Sequence, residues 1–196
     1  MSNSFEMLVD EDVSLLDAPA VSNKVIAVFR DIQLIVGEPT PDCVLGGTGY
    51  RPGPAVPAIY LPEPNECRFW ELTTSGVEVS IGRSFNLWAL GPSCEYFICP
   101  KCHVKYLRSD SPIWDSIFEA ADNWHGKNID ATIACPSCGN ASRLSDWHSR
   151  PPLGFGNLSF QFWNWPPLDL PGWKLDIPKL VRQITGHSIV ISWGRI

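Results

Sequence analysis

Four of the seven cysteines form two pairs with the same spacing, Cys99–Cys102 and Cys135–Cys138, each written Cys-Pro-x-Cys. Each pair can form a tight turn, a knuckle, that presents two thiolates, and two knuckles complete a tetrahedral shell around one Zn²⁺ ion. Gly139 permits the positive φ that such a turn often needs. Because four sulfurs leave no coordination position open to a substrate, the spacing predicts one structural zinc ion, not a catalytic one.

The alternative interpretation of these residues is a set of buried or redox-active thiols. A single Cys-Pro-x-Cys after the apolar residues 96–98 resembles glutaredoxin, but the presence of a second pair favours zinc. The other three cysteines, Cys43, Cys67 and Cys94, are predicted to be small buried side chains.

The two knuckles are separated by 32 residues, which is longer than the usual gap of about 15–20. Ser111 is a candidate N-cap and Pro112 a candidate first position for a helix in this gap. Apolar residues then recur on one face at helical spacing up to Gly126, a candidate stop. They are Ile113, Trp114, Ile117, Phe118 and Ala121. This helix would bring the knuckles together, so residues 95–147 are predicted to form a zinc-ribbon-like insertion.

Outside this insertion, alternating runs predict strands and amphipathic runs predict helices. Strands are predicted over 69–73, 77–81, 85–90, 158–163 and 187–193. The last is expected at the centre of a sheet, since its apolar residues are nearly continuous. Helices are predicted over 4–16, 22–36 and 175–185. For part of 22–36 a strand is the alternative, because that segment is rich in β-branched residues.

Together these elements predict an α+β fold, with a single mixed or antiparallel sheet packed by two or three helices. Residues 1–94 and 148–196 are expected to form this domain, which the zinc-ribbon-like module interrupts. Residues 1–22 form an acidic N-terminal segment that contributes −5 to the net charge of −6. Such a balance disfavours general affinity for phosphate backbones and is compatible with a basic protein partner.

Two sets of residues are candidates for contact with such a partner. The first is the acidic group Asp10, Glu11 and Asp12 in the N-terminal segment. The second is Trp163 and Trp165, which strand alternation places opposite the apolar face of 158–163 and therefore towards solvent. Core packing of these two indoles is the alternative.

Catalytic patterns are largely missing from the chain. The glycine-rich residues 46–54 contain neither a Walker loop nor a complete GxGxxG, so a structured loop is favoured over a nucleotide site. The HExxH, zinc-deaminase, GxSxG and kinase patterns are also absent. An enzyme remains a third hypothesis without a mechanism, and its pocket would lie around Tyr50 and Arg51.

Several segments resemble a set of small uncharacterised bacterial proteins. They are Gly37–Thr40, Asp42–Gly47, Gly49–Pro54, the two Cys-Pro-x-Cys pairs, Phe162–Leu168, and the terminal Gly186-His187 followed by a strand that closes with Gly194–Ile196. The resemblance spans most of the chain and implies no established activity. Some members carry a transporter-ATPase label, which the missing Walker loop does not support here.

The leading hypothesis is a non-enzymatic, zinc-stabilised protein-binding protein, with neutralisation of a bacterial toxin as an immunity protein as its specific form. The size and acidic charge are the basis of this analogy. The alternative is a zinc-ribbon adaptor for nucleic acid, using the basic residues Lys101, His103, Lys105, Arg108, Arg143, His148 and Arg150. No run of 18 apolar residues and no signal peptide are evident, so a cytoplasmic protein without membrane contact is expected.

Overall fold

The protein combines α-helices with antiparallel sheets, in a computed structural model that describes residues 3–63, 66–91, 94–108, 113–126 and 131–196. The strands are β1 (Ser4–Asp10), β2 (Ile35–Thr40), β3 (Gly49–Pro52), β4 (Gly76–Ser84), β5 (Tyr96–Ile98), β6 (Lys105–Leu107), β7 (Thr132–Ala134), β8 (Ala141–Arg143), β9 (His148–Arg150), β10 (Gly156–Trp163) and β11 (Ile189–Arg195). The helices are α1 (Ala18–Asp31), α2 (Val56–Ile59), α3 (Ile113–Gly126) and α4 (Ile177–Thr185). The predicted α+β class is confirmed.

The main sheet has six strands in the order β11-β1-β10-β4-β3-β2, and every neighbouring pair is antiparallel. Leu8 and Phe160 lie opposite each other on the face that packs against α1 and α4. Phe5 and Trp163 pair on the other face, which the loop after β2 covers through Cys43. The centre of the sheet is therefore buried on both faces.

A second core lies beside this sheet and contains the cysteines. It is built from the three-stranded sheet β6-β5-β9, the hairpin β7-β8, α3 and a 3₁₀ turn over Leu87–Leu90. Its buried residues run from Phe85 to Phe155, whose rings stack at 5.3 Å between centroids. We call residues 85–155 the cysteine module, since the rings of Phe85 and Phe155 close its core.

The prediction of a helix over 4–16 is wrong. Residues 4–10 form β1, next to the middle of the main sheet, and Phe5 to Asp10 are all buried. Since both faces of this strand are covered, it lacks the polar and apolar alternation that marks a half-exposed strand. Two acidic residues, Glu6 and Asp10, are consequently inside the protein.

Other boundaries also differ from the prediction. Helix α1 begins at Ala18 and ends at Asp31, and residues 35–40 form β2, so the strand alternative for part of 22–36 is confirmed. The predicted strands 69–73 and 85–90 are wrong, since 3₁₀ turns over Phe69–Glu71 and Leu87–Leu90 occupy them. Strand β11 is an edge strand, not a central one, because β1 takes the position next to β10.

The remaining elements agree with the prediction. Strands β4 and β10 contain residues 77–81 and 158–163, and α4 lies within 175–185. Helix α3 ends at Gly126 as expected, whereas the proposed cap at Ser111 and Pro112 lies outside the described residues. Among the helices described, none has the length and hydropathy needed to cross a bilayer.

Candidate metal centre

Each cysteine pair lies in a turn between two short antiparallel strands, β5 and β6 for the first and β7 and β8 for the second. In the first turn the Cys99 amide donates to the Val104 oxygen, and the His103 amide donates to the Cys99 oxygen, both at 3.0 Å. The equivalent bonds from the Cys135 and Gly139 amides measure 3.0 and 2.8 Å. The two knuckles therefore have the same backbone hydrogen bonds.

The residue after each second cysteine has a left-handed backbone. The φ angle is 70° at Gly139 and 59° at His103. Glycine adopts this conformation freely, so the predicted role of Gly139 is confirmed, whereas a histidine must be held there by its surroundings. The first knuckle thus carries some local backbone strain that the second does not.

The four sulfur atoms form one compact group within 4.8 Å of one another. The Sγ atoms of Cys102 and Cys135 are 3.6 Å apart, whereas a disulfide requires about 2.05 Å. Four Zn–S bonds of 2.3 Å at tetrahedral angles place sulfurs about 3.8 Å apart. The donor set therefore fits a single tetrahedral metal ion. Cys99 and Cys135 are buried, and the other two ligands are partly exposed.

Tyr106, in β6, connects the first knuckle to the second. Its hydroxyl lies 3.0 Å from the Sγ of Cys135 and 2.8 Å from the Oγ of Ser137, and it accepts the Ser137 amide at 3.1 Å. In the described part of the first knuckle, main-chain amides contact the sulfurs instead: the Lys101 amide donates to Cys99 Sγ at 3.4 Å, and the Val104 amide donates to Cys102. No motif points to this tyrosine, since it lies outside both cysteine pairs.

Cys135 and Cys102 differ in how readily they lose a proton. Burial raises the pKa of Cys135, but hydrogen bonds from the Tyr106 hydroxyl and from amides of its own turn outweigh burial and lower the pKa to about 6. The Val104 amide lowers the pKa of Cys102, whereas burial and the neighbouring sulfurs raise it, to about 12. Adjacent thiols cannot all ionise without a cation, so metal binding here would displace protons.

The acidic residues predicted to contact a partner lie in different environments. Asp10 is fully buried and accepts the amides of Asp12 and Val13 at 3.1 and 3.0 Å. Its other oxygen is 2.8 Å from Nδ1 of His187. Asp10 therefore joins the end of β1 to the residues before β11, and it offers no surface to a partner.

Glu11 and Asp12 are exposed but engaged. Asp12 accepts the Ser188 amide at 2.7 Å. Glu11 accepts the Phe155 amide at 3.3 Å, and partial desolvation of its carboxyl is the main reason why its pKa is raised, although the residue as a whole is exposed. Glu11 and Arg83 both line a polar cleft of about 420 Å³ between the main sheet and the cysteine module. Glu11 and Asp12 are therefore accessible from solvent, whereas Asp10 is not.

The expectation that Trp163 and Trp165 face solvent is wrong. Trp163 is 4 % exposed, and its Nε1 donates to Glu78 at 2.8 Å under the loop that follows β2. Trp165 is 2 % exposed and packs against Phe69 and Trp173. Strand alternation does put Trp163 opposite Phe160, but a loop from elsewhere in the chain covers that face.

Tyr50 and Arg51, the predicted loop candidates, lie in β3. Arg51 forms an ion pair with Asp42 at 2.6 Å, and the guanidinium of Arg30 lies over the Tyr50 ring at 5.2 Å. Neither Tyr50 nor Arg51 lines the polar cleft beside Glu11. Of the cysteines outside the pairs, Cys43 and Cys94 are buried as predicted, and Cys67 is exposed, which the prediction missed.

The basic residues near the knuckles form a smaller group than the sequence suggested. Lys105 and His148 are in register with the same residue of β5, so they share the outer face of the three-stranded sheet with Arg150. Arg108 instead donates to a main-chain oxygen of the 3₁₀ turn at 3.2 Å. Arg143 lies in β8 and pairs with an acidic neighbour at 3.0 Å.

The sequence did not indicate an apolar cavity of about 480 Å³ between α3 and the 3₁₀ turn before it. The residues that line it are Phe85, Leu87, Leu90, Phe118, Ala121, Asp122 and His125. Leu87 is 63 % exposed and Phe118 43 %, so its mouth is open to solvent. Sequence periodicity placed Phe118 on the buried face of α3, yet that face is completed by Ala120 and Trp124.

Three carboxylates lie next to this cavity on the exposed surface of α3. They belong to Asp115, Glu119 and Asp122, which are all exposed and follow one another at intervals of four and three residues. Residues at these intervals share one side of a helix. Asp122 also lines the cavity, so the acidic stripe and the apolar opening are contiguous.

Comparison with known proteins found nothing similar to this chain: no protein-family model, no curated protein and no solved structure matches it. The resemblance to small bacterial proteins therefore stays a prediction from motifs.

Proposed function

We propose that this chain is a non-enzymatic, zinc-stabilised binding protein whose partner is a basic protein, and that it neutralises a bacterial toxin. The observation that carries the proposal is the open apolar cavity bordered by the three carboxylates of α3. A cavity with an exposed Leu and an exposed Phe at its mouth resembles the apolar pockets that receive anchor side chains in protein interfaces. The carboxylates add attraction for a positively charged surface.

The zinc part of the proposal rests on the cysteine group. Four thiolates in a tetrahedral arrangement suit Zn²⁺, and also iron, because soft sulfur ligands favour both. All four positions would be taken by protein, so the ion would hold the module together and supply no open site for chemistry. Elemental analysis of the purified, reduced protein distinguishes the two metals, and we expect one zinc per chain.

The cavity and the stripe together define the partner that we propose. An apolar side chain of the partner would fill the space between Leu87 and Phe118, and Lys or Arg residues next to it would face Asp115, Glu119 and Asp122. Association should be fast and sensitive to salt because the carboxylates are exposed. Most of the affinity should come from the apolar anchor.

The test is affinity capture from the native host, followed by a binding titration with the purified partner. We expect a basic protein that binds in a defined stoichiometry and weakens with rising salt. The variant Phe118→Ala with Leu87→Ala should lower the affinity at least tenfold. Leu107→Ala is the matched control, since Leu107 is similarly exposed, 49 %, on a different face of the module.

Three outcomes would count against the proposal. A specific partner that binds the cavity variant as well as the wild type would show that the surface is wrong. Absence of any stoichiometric protein partner would refute the binding function. Recovery of nucleic acid that depends on Lys105 and His148 would favour the adaptor hypothesis, for which their shared sheet face is the supporting observation.

A further inference from the structure

We infer that Tyr106 is a positioning residue that preassembles the four-cysteine centre, so that the cysteine module stays folded around the site before a metal ion binds. The inference rests on the metal site proposed above and adds a property to it. Many small zinc modules are unfolded without their ion. In this protein Tyr106, on the strand that follows the first knuckle, forms hydrogen bonds with the second knuckle.

The contacts of Tyr106 are unusually concentrated. Its hydroxyl reaches a ligand sulfur, Cys135 Sγ, at 3.0 Å, and both the Oγ and the amide of Ser137 at 2.8 and 3.1 Å. Ser137 lies between the two cysteines of the second pair. One phenol therefore fixes the conformation of that turn from a strand that belongs to the first.

The proton of the phenol has two acceptors, the Cys135 sulfur and the Ser137 hydroxyl. When Cys135 is a thiolate, its charge makes sulfur the stronger acceptor, and the Ser137 hydroxyl can turn its own proton towards the phenolic oxygen. The bond from Tyr106 would then orient the thiolate and withdraw charge from it. Such bonds around a metal ligand set both ligand geometry and affinity.

The rest of the module supports preassembly. Tyr106 is 8 % exposed, and its ring lies 6.1 Å from that of Trp147. Cys99 and Cys135 belong to the same buried core as α3. The phenol is therefore held in place by packing as well as by its hydrogen bonds. The ring would stay in place in a phenylalanine variant that lacks only the hydroxyl.

The experiment compares the full-length wild type, Tyr106→Phe and Ser137→Ala, each reduced and stripped of metal with a chelator. Hydrogen exchange would report on amides of residues 104–107 and 135–139. We expect measurable protection in the wild type, faster exchange in Tyr106→Phe, and an intermediate rate in Ser137→Ala. Tyr96→Phe is the control, since Tyr96 lies on the neighbouring strand β5 and the Lys105 ammonium lies over its ring at 3.8 Å.

A second readout is titration with Co²⁺, whose sulfur-to-metal charge-transfer band reports on the ligand sulfurs. Loss of the Tyr106 hydroxyl should weaken metal binding about 10–100-fold and shift this band, with no change for Tyr96→Phe. Equal affinity, spectrum and exchange in Tyr106→Phe and wild type would overturn the inference, as would a stripped wild type without protection. If no metal binds, the zinc proposal fails, and the exchange comparison still decides the role of Tyr106.

Discussion

The main sheet and the cysteine module both enclose buried aromatic and aliphatic side chains, but their strands differ greatly in length. Strands β1, β10 and β4 contain seven, eight and nine residues, whereas each described strand of the module contains three. A three-residue strand forms few ladder hydrogen bonds and few cross-strand pairs. The module therefore needs stabilisation from a source other than its sheets.

That source is the cysteine group with the contacts around it. Cys99 and Cys135 lie inside the module core. In the main sheet, the corresponding buried positions are occupied by apolar side chains. Ligation of one metal ion by the two cysteine pairs, which lie at the two ends of a 32-residue gap, would stabilise the closed loop beyond what the short strands and Tyr106 provide. Long strands thus supply most of the order in the main sheet, whereas the module would gain order from the metal cross-link that its four cysteines can form.

The largest expected effect is the loss of one metal ligand. Cys99→Ser or Cys138→Ser should release the metal and raise hydrogen exchange throughout residues 94–155, while the amides of β1 and β10 stay protected. The reason is that a bound ion stabilises the folded module beyond what its core and Tyr106 provide, so the module should open more often without it. Cys67→Ser, which changes an exposed cysteine outside the group, is the control. Full metal content and an unchanged melting temperature in the ligand variants would contradict the assignment.

The next effect concerns the main core. Phe160 is fully buried in β10, with its ring 6.2 Å from that of Phe29, so Phe160→Ala should lower the unfolding free energy by about 3–5 kcal/mol. Urea denaturation monitored by circular dichroism measures this loss. Ile81→Ala, at a half-exposed position of β4, should cost below about 1 kcal/mol. If Phe160→Ala left the main sheet intact and opened only the module, the two-core comparison would be wrong.

The smallest effect comes from a buried acid in the main sheet. Burial, with the charge of Asp169, raises the pKa of Glu6 to about 7 from its ordinary 4.5, against the effect of a main-chain hydrogen bond. The folded state therefore holds this proton more tightly than the unfolded state, and stability falls as the pH rises from 4.5 to 7. The loss should be about 2 kcal/mol, allowing for partial solvent screening.

Removing the ionisable group tests this. Glu6→Gln should be more stable than the wild type at pH 8 and similar to it at pH 4, when thermal unfolding is followed at both values. Glu38→Gln changes a carboxyl that is 85 % exposed and should leave the pH profile unaltered. An identical pH dependence in Glu6→Gln and wild type would show that Glu6 ionises freely in the fold.

Much of the local structure could be predicted from the sequence, because it depends on short-range periodicity. The amphipathic spacing of α3 and α4 and the alternation of β10 were sufficient to locate these elements. The same method failed for β1, whose two faces are both buried and whose apolar residues also fit a helix. Whether a strand lies at the edge or in the centre of the sheet could not be predicted either, since β11 lies at the edge and is as apolar as a central strand.

The candidate site divides in the same way. The spacing of the two cysteine pairs by itself determined which four residues come together, since a tight turn needs only its own residues and a metal requires four ligands. Only the tertiary structure decided that Tyr106 would reach the second knuckle, that Trp163 would be covered, and that Leu87 and Phe118 would stay open. Each of these depends on which distant segment packs against a given face, and that information lies in the whole fold and not in any local pattern.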